Sequence, residues 1–169
     1  SDLGMGKSMQ ELLAASVELN VVDGVILPNL KMQGTEEACA YLDEEGRCSI
    51  HPYRPGICRL FPLGRYYENG GFSYFLQTGE CAKENRSKIK VSKWIDTPDL
   101  TRNQQFTLQW HDLLHAMEER LTGEDEGKQR EENLLLLRLF YLLPYEGTID
   151  FYTQFTERME HWNGQNGQI

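Results

Sequence analysis

The chain opens with apolar residues at helical spacing, which predicts an amphipathic helix over residues 7–20. Ser8 precedes the periodic positions, and Glu11 follows three residues later, which is the arrangement of a capping box. The pattern assigns one face of this helix to the core. The apolar residues on that face are Met9, Leu12, Leu13, Val17 and Leu19.

Two antiparallel hairpins are predicted after this helix. The first has its turn at Asp23-Gly24, between short runs rich in β-branched residues, because this dipeptide favours a two-residue turn. The second joins residues 63–67 to residues 72–77 through the polar turn at 68–71. Aromatic side chains are frequent in the second hairpin, and we expect most of them to pack in the core.

Helical spacing of apolar residues dominates the remainder of the chain and predicts three helices, at 99–121, 129–143 and 148–162. We expect Pro144 to end the middle helix, whose apolar residues cover almost its whole circumference. A run of strands followed by a run of helices indicates an α+β fold. Short antiparallel hairpins would surround a cysteine cluster, and the helices would form the C-terminal part.

Length and composition are those of one globular domain. The 169 residues are 40% hydrophobic and 25% charged, and a chain of this length can bury a substantial core. We therefore expect a single cysteine-cluster domain over residues 1–169, with a cysteine-bearing α/β core at 1–98 and a helical part at 99–163. The net charge of -9 argues against a nucleic-acid partner. No apolar run reaches the length of a membrane span, so we predict no membrane partner and a cytoplasmic location.

Three of the four cysteines fall within residues 39–62, and this stretch carries the candidate chemistry. Residues 43–46 predict a turn between two short strands, with Tyr41 facing Cys48. Cys39 would then lie diagonally from Cys48 on the same face. In this arrangement two thiolates can approach one metal ion.

Cys58 follows Pro55, which is a favourable first residue for a helix. Backbone N–H groups at the start of a helix favour a thiolate, the form that binds metal, and so do the neighbouring Arg54 and Arg59. Cys81 follows the aromatic hairpin, which would return the chain toward the other cysteines. We expect all four sulfur atoms to converge in space.

The cysteine-bearing stretch resembles the signature of the YkgJ-type cysteine-cluster proteins, a family described as zinc- or iron-chelating. The matching residues are Cys39, Cys48, His51, Arg54, Pro55, Cys58, Arg59, Phe61 and Pro62, and Cys81 also fits. The resemblance implies zinc, iron or an iron–sulfur cluster as the cofactor. Members usually carry a further cysteine group upstream, which this sequence lacks. We therefore interpret the chain as N-terminally truncated.

Two functions stay open. The first is a metal-binding protein whose ligands are Cys39, Cys48, Cys58 and Cys81, with His51 able to replace one thiolate. The second is a protein-modifying enzyme resembling the flagellin lysine N-methylases, which the family includes. The sequence identifies no catalytic residue, and it contains no P-loop or dinucleotide-binding motif.

Disulfides and free structural thiols are the alternatives to metal ligation. Four cysteines are few for a scaffold of this size held together by disulfides. His111 and His115 lie four residues apart on a predicted helix and would share one face. That face could bind a metal, but we expect it to be a solvated face.

Overall fold

The structure is a computed structural model that describes residues 5–79 and 88–166, the side chain of Asn166 excepted. The described residues form an α+β fold, as predicted. The helices are α1 Met9–Ala15, α2 Gly56–Leu60, α3 Val91–Ile95, α4 Leu100–Leu121, α5 Glu126–Leu137 and α6 Phe151–Asn166, with a 3-10 helix at His51–Tyr53 and a π-helical turn at Arg138–Leu142. The strands form three antiparallel pairs, β1 Val17–Val22 with β2 Val25–Leu30, β3 Met32–Gln33 with β4 Ala38–Cys39, and β5 Leu63–Glu68 with β6 Gly71–Leu76.

The chain folds into two compact units. The first comprises Ser1–Tyr53 and Asp112–Ile169, and the second comprises Arg54–His111. The expected single domain, with its internal boundary after residue 98, stays a prediction. None of the helices in the described ranges combines the length and hydrophobicity required to cross a lipid bilayer.

Helix α1 is shorter than predicted. The Ser8 hydroxyl accepts a hydrogen bond from the Glu11 N–H at 3.3 Å, and the Glu11 carboxylate accepts one from the Ser8 N–H at 2.7 Å, which confirms the capping box. The helix ends at Ala15, so its predicted extension to residue 20 is wrong. Val17 instead begins β1 and pairs with Leu30, because β-branched residues favour a strand once a partner strand is present.

The β1–β2 hairpin has the predicted turn. Asp23 and Gly24 have φ angles of 51° and 79°, and positive φ at both positions is what a type I′ turn requires. Asn133 of α5, which is more than 100 residues away in the sequence, binds this hairpin. Its side-chain oxygen accepts the Ile26 N–H at 2.6 Å, and its amide donates to the Gly24 carbonyl at 3.0 Å.

The helices of the first unit enclose its core, and the most deeply buried side chains are Leu113, Met117, Leu121, Leu136, Phe155 and Trp162. Helix α5 begins three residues before the predicted start, because Asp125 caps it by accepting from two backbone N–H groups. It is not buried all round as predicted, since Leu134 is 54% exposed. Only the opposite face of α5 therefore packs against the core.

Arg158 of α6 stabilises the point where the middle helix stops before Pro144. Its guanidinium donates to the carbonyls of Leu139, Leu143 and Pro144 at 2.7, 2.9 and 2.8 Å. These carbonyls have no continuing helix to accept from, so a buried side chain supplies the donors. Helix α6 itself continues to residue 166, beyond the predicted end at 162.

The second unit contains the second predicted hairpin. Asn69 and Gly70 have φ angles of 50° and 70° and connect Glu68 to its partner Gly71. In the strands Gly64 lies opposite Phe75, and a methyl group at Gly64 would overlap the Phe75 ring. The ring therefore covers the glycine, and no larger residue fits there.

Candidate metal centre

Cys48 lies opposite Leu42 in a short hairpin that follows β4. The prediction that it faces Tyr41 is wrong by one residue. The Asp43 N–H donates to the Arg47 carbonyl at 2.9 Å, so the loop has one residue more than expected. A shift of one residue moves a side chain to the other face of a strand, so the diagonal relation predicted for the two cysteines does not hold.

Cys39 belongs to a different small sheet, in which it pairs with Met32. The chain then turns, because the Cys39 carbonyl accepts the Leu42 N–H at 3.0 Å. The ends of such a turn lie within about 7 Å of each other, and Leu42 faces Cys48. Cys39 and Cys48 are therefore both neighbours of Leu42, and each is a half-buried thiol outside any disulfide.

His51 follows Cys48 through a second turn. The Cys48 carbonyl accepts the His51 N–H at 3.2 Å, and His51 opens the 3-10 helix. Its side chain is exposed. These backbone bonds bring both thiols and the imidazole into one short segment, residues 39–51, which we call the cysteine loop.

Two side chains organise the cysteine loop. The Asp43 carboxylate accepts the N–H groups of Glu45 and Arg47 at 3.0 and 2.8 Å and so closes the turn. The Tyr41 hydroxyl hydrogen bonds with the hydroxyl of buried Ser16, which ends α1. The turn residues signalled the first contact in the sequence, but nothing in the local pattern signalled the second.

Cys58 lies in the second unit, on α2. Pro55 is the N-cap of this helix and not its first residue, and the Cys58 N–H donates to the Pro55 carbonyl at 3.0 Å. The predicted position of Cys58 near the start of a short helix is thus confirmed. The side chain of Cys58 is half-buried, and the Nε of the adjacent Arg59 donates to the Arg54 carbonyl at 3.4 Å.

Cys81 lies outside the described residues, so the convergence of the four cysteines stays a prediction. Within residues 5–79 and 88–166, no three side chains from His, Cys, Asp and Glu form a group able to hold a metal ion. Thiolate and imidazole are ligand types that zinc and iron accept. The donors therefore fit the metal by chemistry, but Cys39, Cys48 and His51 are not a complete ligand set by themselves.

The two histidines of α4 have separate surroundings. The ring of His111 stacks on Tyr67 with 3.6 Å between centroids, both in the second unit. His111 is half-buried, so its prediction as part of a solvated face is wrong. His115 is exposed, and its Nδ1 lies 3.6 Å from the Glu119 carboxylate. Neither side chain belongs to a group of three metal-binding residues among those described.

A family model matches the chain. It is named CxxCxxCC and described as "Putative zinc- or iron-chelating domain", and the match covers residues 7–111. This range is more than half of the chain and includes all four cysteines. Comparison with curated proteins finds no match, and neither does comparison with solved structures.

Proposed function

Because the chain belongs to the CxxCxxCC family of zinc- or iron-chelating domains, we propose that it binds zinc or iron through its cysteines. The proposed ligands are Cys39, Cys48, Cys58 and Cys81, with His51 as a further donor. The YkgJ-type group is the part of the family that we propose for it, on the residues from 39 to 62.

The observation that carries the proposal is the arrangement of the cysteine loop. Cys39 closes a turn with Leu42, and Cys48 lies opposite Leu42 in the short hairpin. Both cysteines are half-buried. Each of the two cysteine residues is therefore partly accessible and partly covered by the protein. Two thiols that neighbour the same residue and form no disulfide, in a chain of this family, are better suited to metal ligation than to core packing.

The cysteine loop would prepare its ligands through its own backbone. Asp43 holds the turn, and Tyr41 attaches the loop to Ser16. A metal ion held there would add a cross-link between segments that have few buried side chains. A metal ion that binds the folded chain and not the unfolded chain would also stabilise the fold by its binding free energy.

Two kinds of metal centre are compatible with the proposed ligands. Four thiolates, or three with an imidazole, suit a tetrahedral zinc ion, whereas four thiolates suit an iron–sulfur cluster. A closed zinc centre would be structural and colourless. An iron–sulfur cluster would absorb visible light and transfer electrons.

Elemental analysis and absorbance of protein purified without oxygen test the proposal. We expect zinc or iron in stoichiometric amount, with visible absorbance only if a cluster is bound. Cys48→Ser removes the soft ligand at nearly constant size, so metal content and melting temperature should both fall. Leu42→Ala is the matched control, because it removes the side chain opposite Cys48 and leaves every thiol in place.

His51→Gln and His161→Gln form a second pair, since both histidines are exposed in the first unit. Only the change at residue 51 should reduce metal content. Wild-type metal content in Cys39→Ser, Cys48→Ser and Cys58→Ser together would contradict the proposal. The enzyme alternative and the cytoplasmic location stay predictions, because the family description names neither a reaction nor a compartment.

A further inference from the structure

Strand β1 forms an exposed edge of the β1–β2 hairpin. Within the described part of the chain this sheet has two strands, which is fewer than most sheets have. Residues 18–22 are all exposed, and the exposed fractions of Leu19 and Val21 are 45% and 69%. The first unit therefore carries a strand edge with exposed apolar side chains, and this strand contains no cysteine.

The hydrogen bonds of the hairpin define which backbone groups of β1 point outward. The Lys31 N–H donates to the Ser16 carbonyl at 2.9 Å, and bonded and non-bonded positions alternate along an antiparallel pair. Ile26, the partner of Val21, donates its N–H outward to a side chain of α5. Val21 and Leu19 are therefore at non-bonded positions of the hairpin, and their N–H and carbonyl groups point away from β2.

The outer edge of β2 does not offer an equivalent surface. The Ile26 N–H already donates to Asn133 at 2.6 Å, and Pro28 has no N–H to offer. Strand β1 contains neither Pro nor Lys and pairs with β2 without a bulge, so it lacks the features that usually protect an edge strand. A further strand can therefore add to β1 but not to β2, and identical chains that associate this way form a closed pair.

We propose that two copies of the chain associate through β1, antiparallel, about a two-fold axis at Asn20. In this register Leu19 of each copy lies opposite the partner's Val21. The two pairs join outward-pointing backbone groups by about four N–H···O bonds. They also bring the exposed apolar side chains of both strands together on one face. The two hairpins become one four-stranded sheet.

Charge and burial select this register. Outward groups pair only with outward groups, so the alternatives are shifted by steps of two residues. Shifts in one direction require Val17, which is only 8% exposed, and bring the two Glu18 carboxylates toward each other, which is destabilising. A shift in the other direction places Leu19 opposite Asp23, whose φ of 51° belongs to the turn and not to a strand. The register about Asn20 has neither fault.

Sedimentation equilibrium of the full chain, over concentrations that reach the millimolar range, tests the association. Because each copy has a net charge of -9, the measurement is made at physiological salt. We expect monomer and dimer and no larger species. Val21→Lys should weaken association about tenfold, since it removes both apolar pairs and places a lysine on the edge. Leu134→Lys is the matched control, because Leu134 is 54% exposed on α5, and it should leave association unchanged.

Cysteine substitution tests the register without relying on a loss of affinity. At the two-fold axis the Cα atoms of the two Asn20 residues would be about 4.5 Å apart, a separation that a disulfide can span. Asn20→Cys should therefore cross-link the dimer on mild oxidation. Glu18→Cys should not, because the two copies of residue 18 are offset by about 13 Å along the strands. The native cysteines are common to both variants and cannot produce the difference.

Metal content separates this proposal from that of metal binding. It should be unchanged in Val21→Lys, because all four cysteines remain. The association through β1 is overturned if the chain stays monomeric over the whole concentration series. It is also overturned if Leu134→Lys weakens association as much as Val21→Lys, or if Glu18→Cys cross-links as readily as Asn20→Cys.

Discussion

The cysteine loop and the helical part at residues 126–166 lie in the same unit but are stabilised differently. In the helical part Trp162 is 0% exposed, and the buried polar side chains Asn133 and Arg158 form several hydrogen bonds each. In the cysteine loop residues 42–47 are all exposed. Backbone turns, Asp43 and Tyr41 hold that segment together.

The helical part is therefore expected to determine global stability, and the cysteine loop to determine metal binding. Burial of apolar surface stabilises the helices without any ligand. The cysteine loop has little surface to bury, so an added cross-link such as a metal ion would contribute most of its order. Changes in the helical part should therefore lower global stability, and changes in the loop should act mainly on metal binding and local opening.

The largest effect is expected for Trp162→Ala. Replacing a buried Trp by Ala leaves a cavity and should lower the free energy of unfolding by about 3–5 kcal/mol. Urea denaturation measures this, and the same loss should appear in protein treated with a chelator. His161→Ala, at the exposed neighbouring position, should change stability little. A loss below about 1 kcal/mol at Trp162 would show that the helical core is not the main source of stability.

Asn133→Ala is expected to have the second largest effect. It removes the acceptor of the Ile26 N–H and the donor to Gly24, and the loss of such partners costs about 1–3 kcal/mol. Hydrogen exchange should also become faster in the β1–β2 hairpin. Glu131→Ala, an exposed change on the same helix, serves as the control. Equal exchange in the two variants would mean that Asn133 does not hold the hairpin.

Asp43→Ala tests how the cysteine loop is held together. Two backbone N–H groups lose their acceptor but can bind water, so we expect a global loss of only about 0.5–1 kcal/mol. Exchange within the cysteine loop should rise and metal affinity should fall, whereas exchange in α5 and α6 should not change. Glu44→Ala removes a neighbouring carboxylate without a role in the turn. A uniform rise across the whole unit would contradict a locally held loop.

The smallest effect concerns pH. Hydrogen bonds from the Ser8 backbone and hydroxyl lower the pKa of Glu11 below its usual value. The ionised carboxylate therefore stabilises the folded chain above the unfolded pKa, and this contribution is lost as the pH falls through the folded pKa. Glu11→Gln should reduce the melting temperature slightly at neutral pH and less in acid. A reduction that grows on acidification would contradict this assignment.

Local chemistry explains the predictions that were confirmed. Asp23-Gly24 and Asn69-Gly70 can adopt positive φ at little cost, so each specifies a hairpin turn without help from distant residues. Ser8 and Glu11 satisfy the start of α1 from within its first turn. The apolar spacing of α4 was long enough to predict the helix within one or two residues.

The errors fall where a partner distant in sequence decides the outcome. Residues 17–20 have helical spacing but form β1 because β2 pairs with them. The register at Cys48 depended on one additional residue in the turn, which the apolar pattern could not reveal. His111 was expected on a solvated face, yet Tyr67 covers one side of its ring.

The sequence by itself determined the α+β class, both hairpin turns and the residue types that could bind a metal, because these depend on local geometry and on the chemistry of single side chains. Only the tertiary structure decided which residues hold the cysteine loop and the helix ends. Tyr41 with Ser16, Asn133 with Gly24, and Arg158 with the Pro144 carbonyl are contacts between residues separated by 14 to 109 positions. Such contacts form only once the core has brought their segments together, and no local pattern records them.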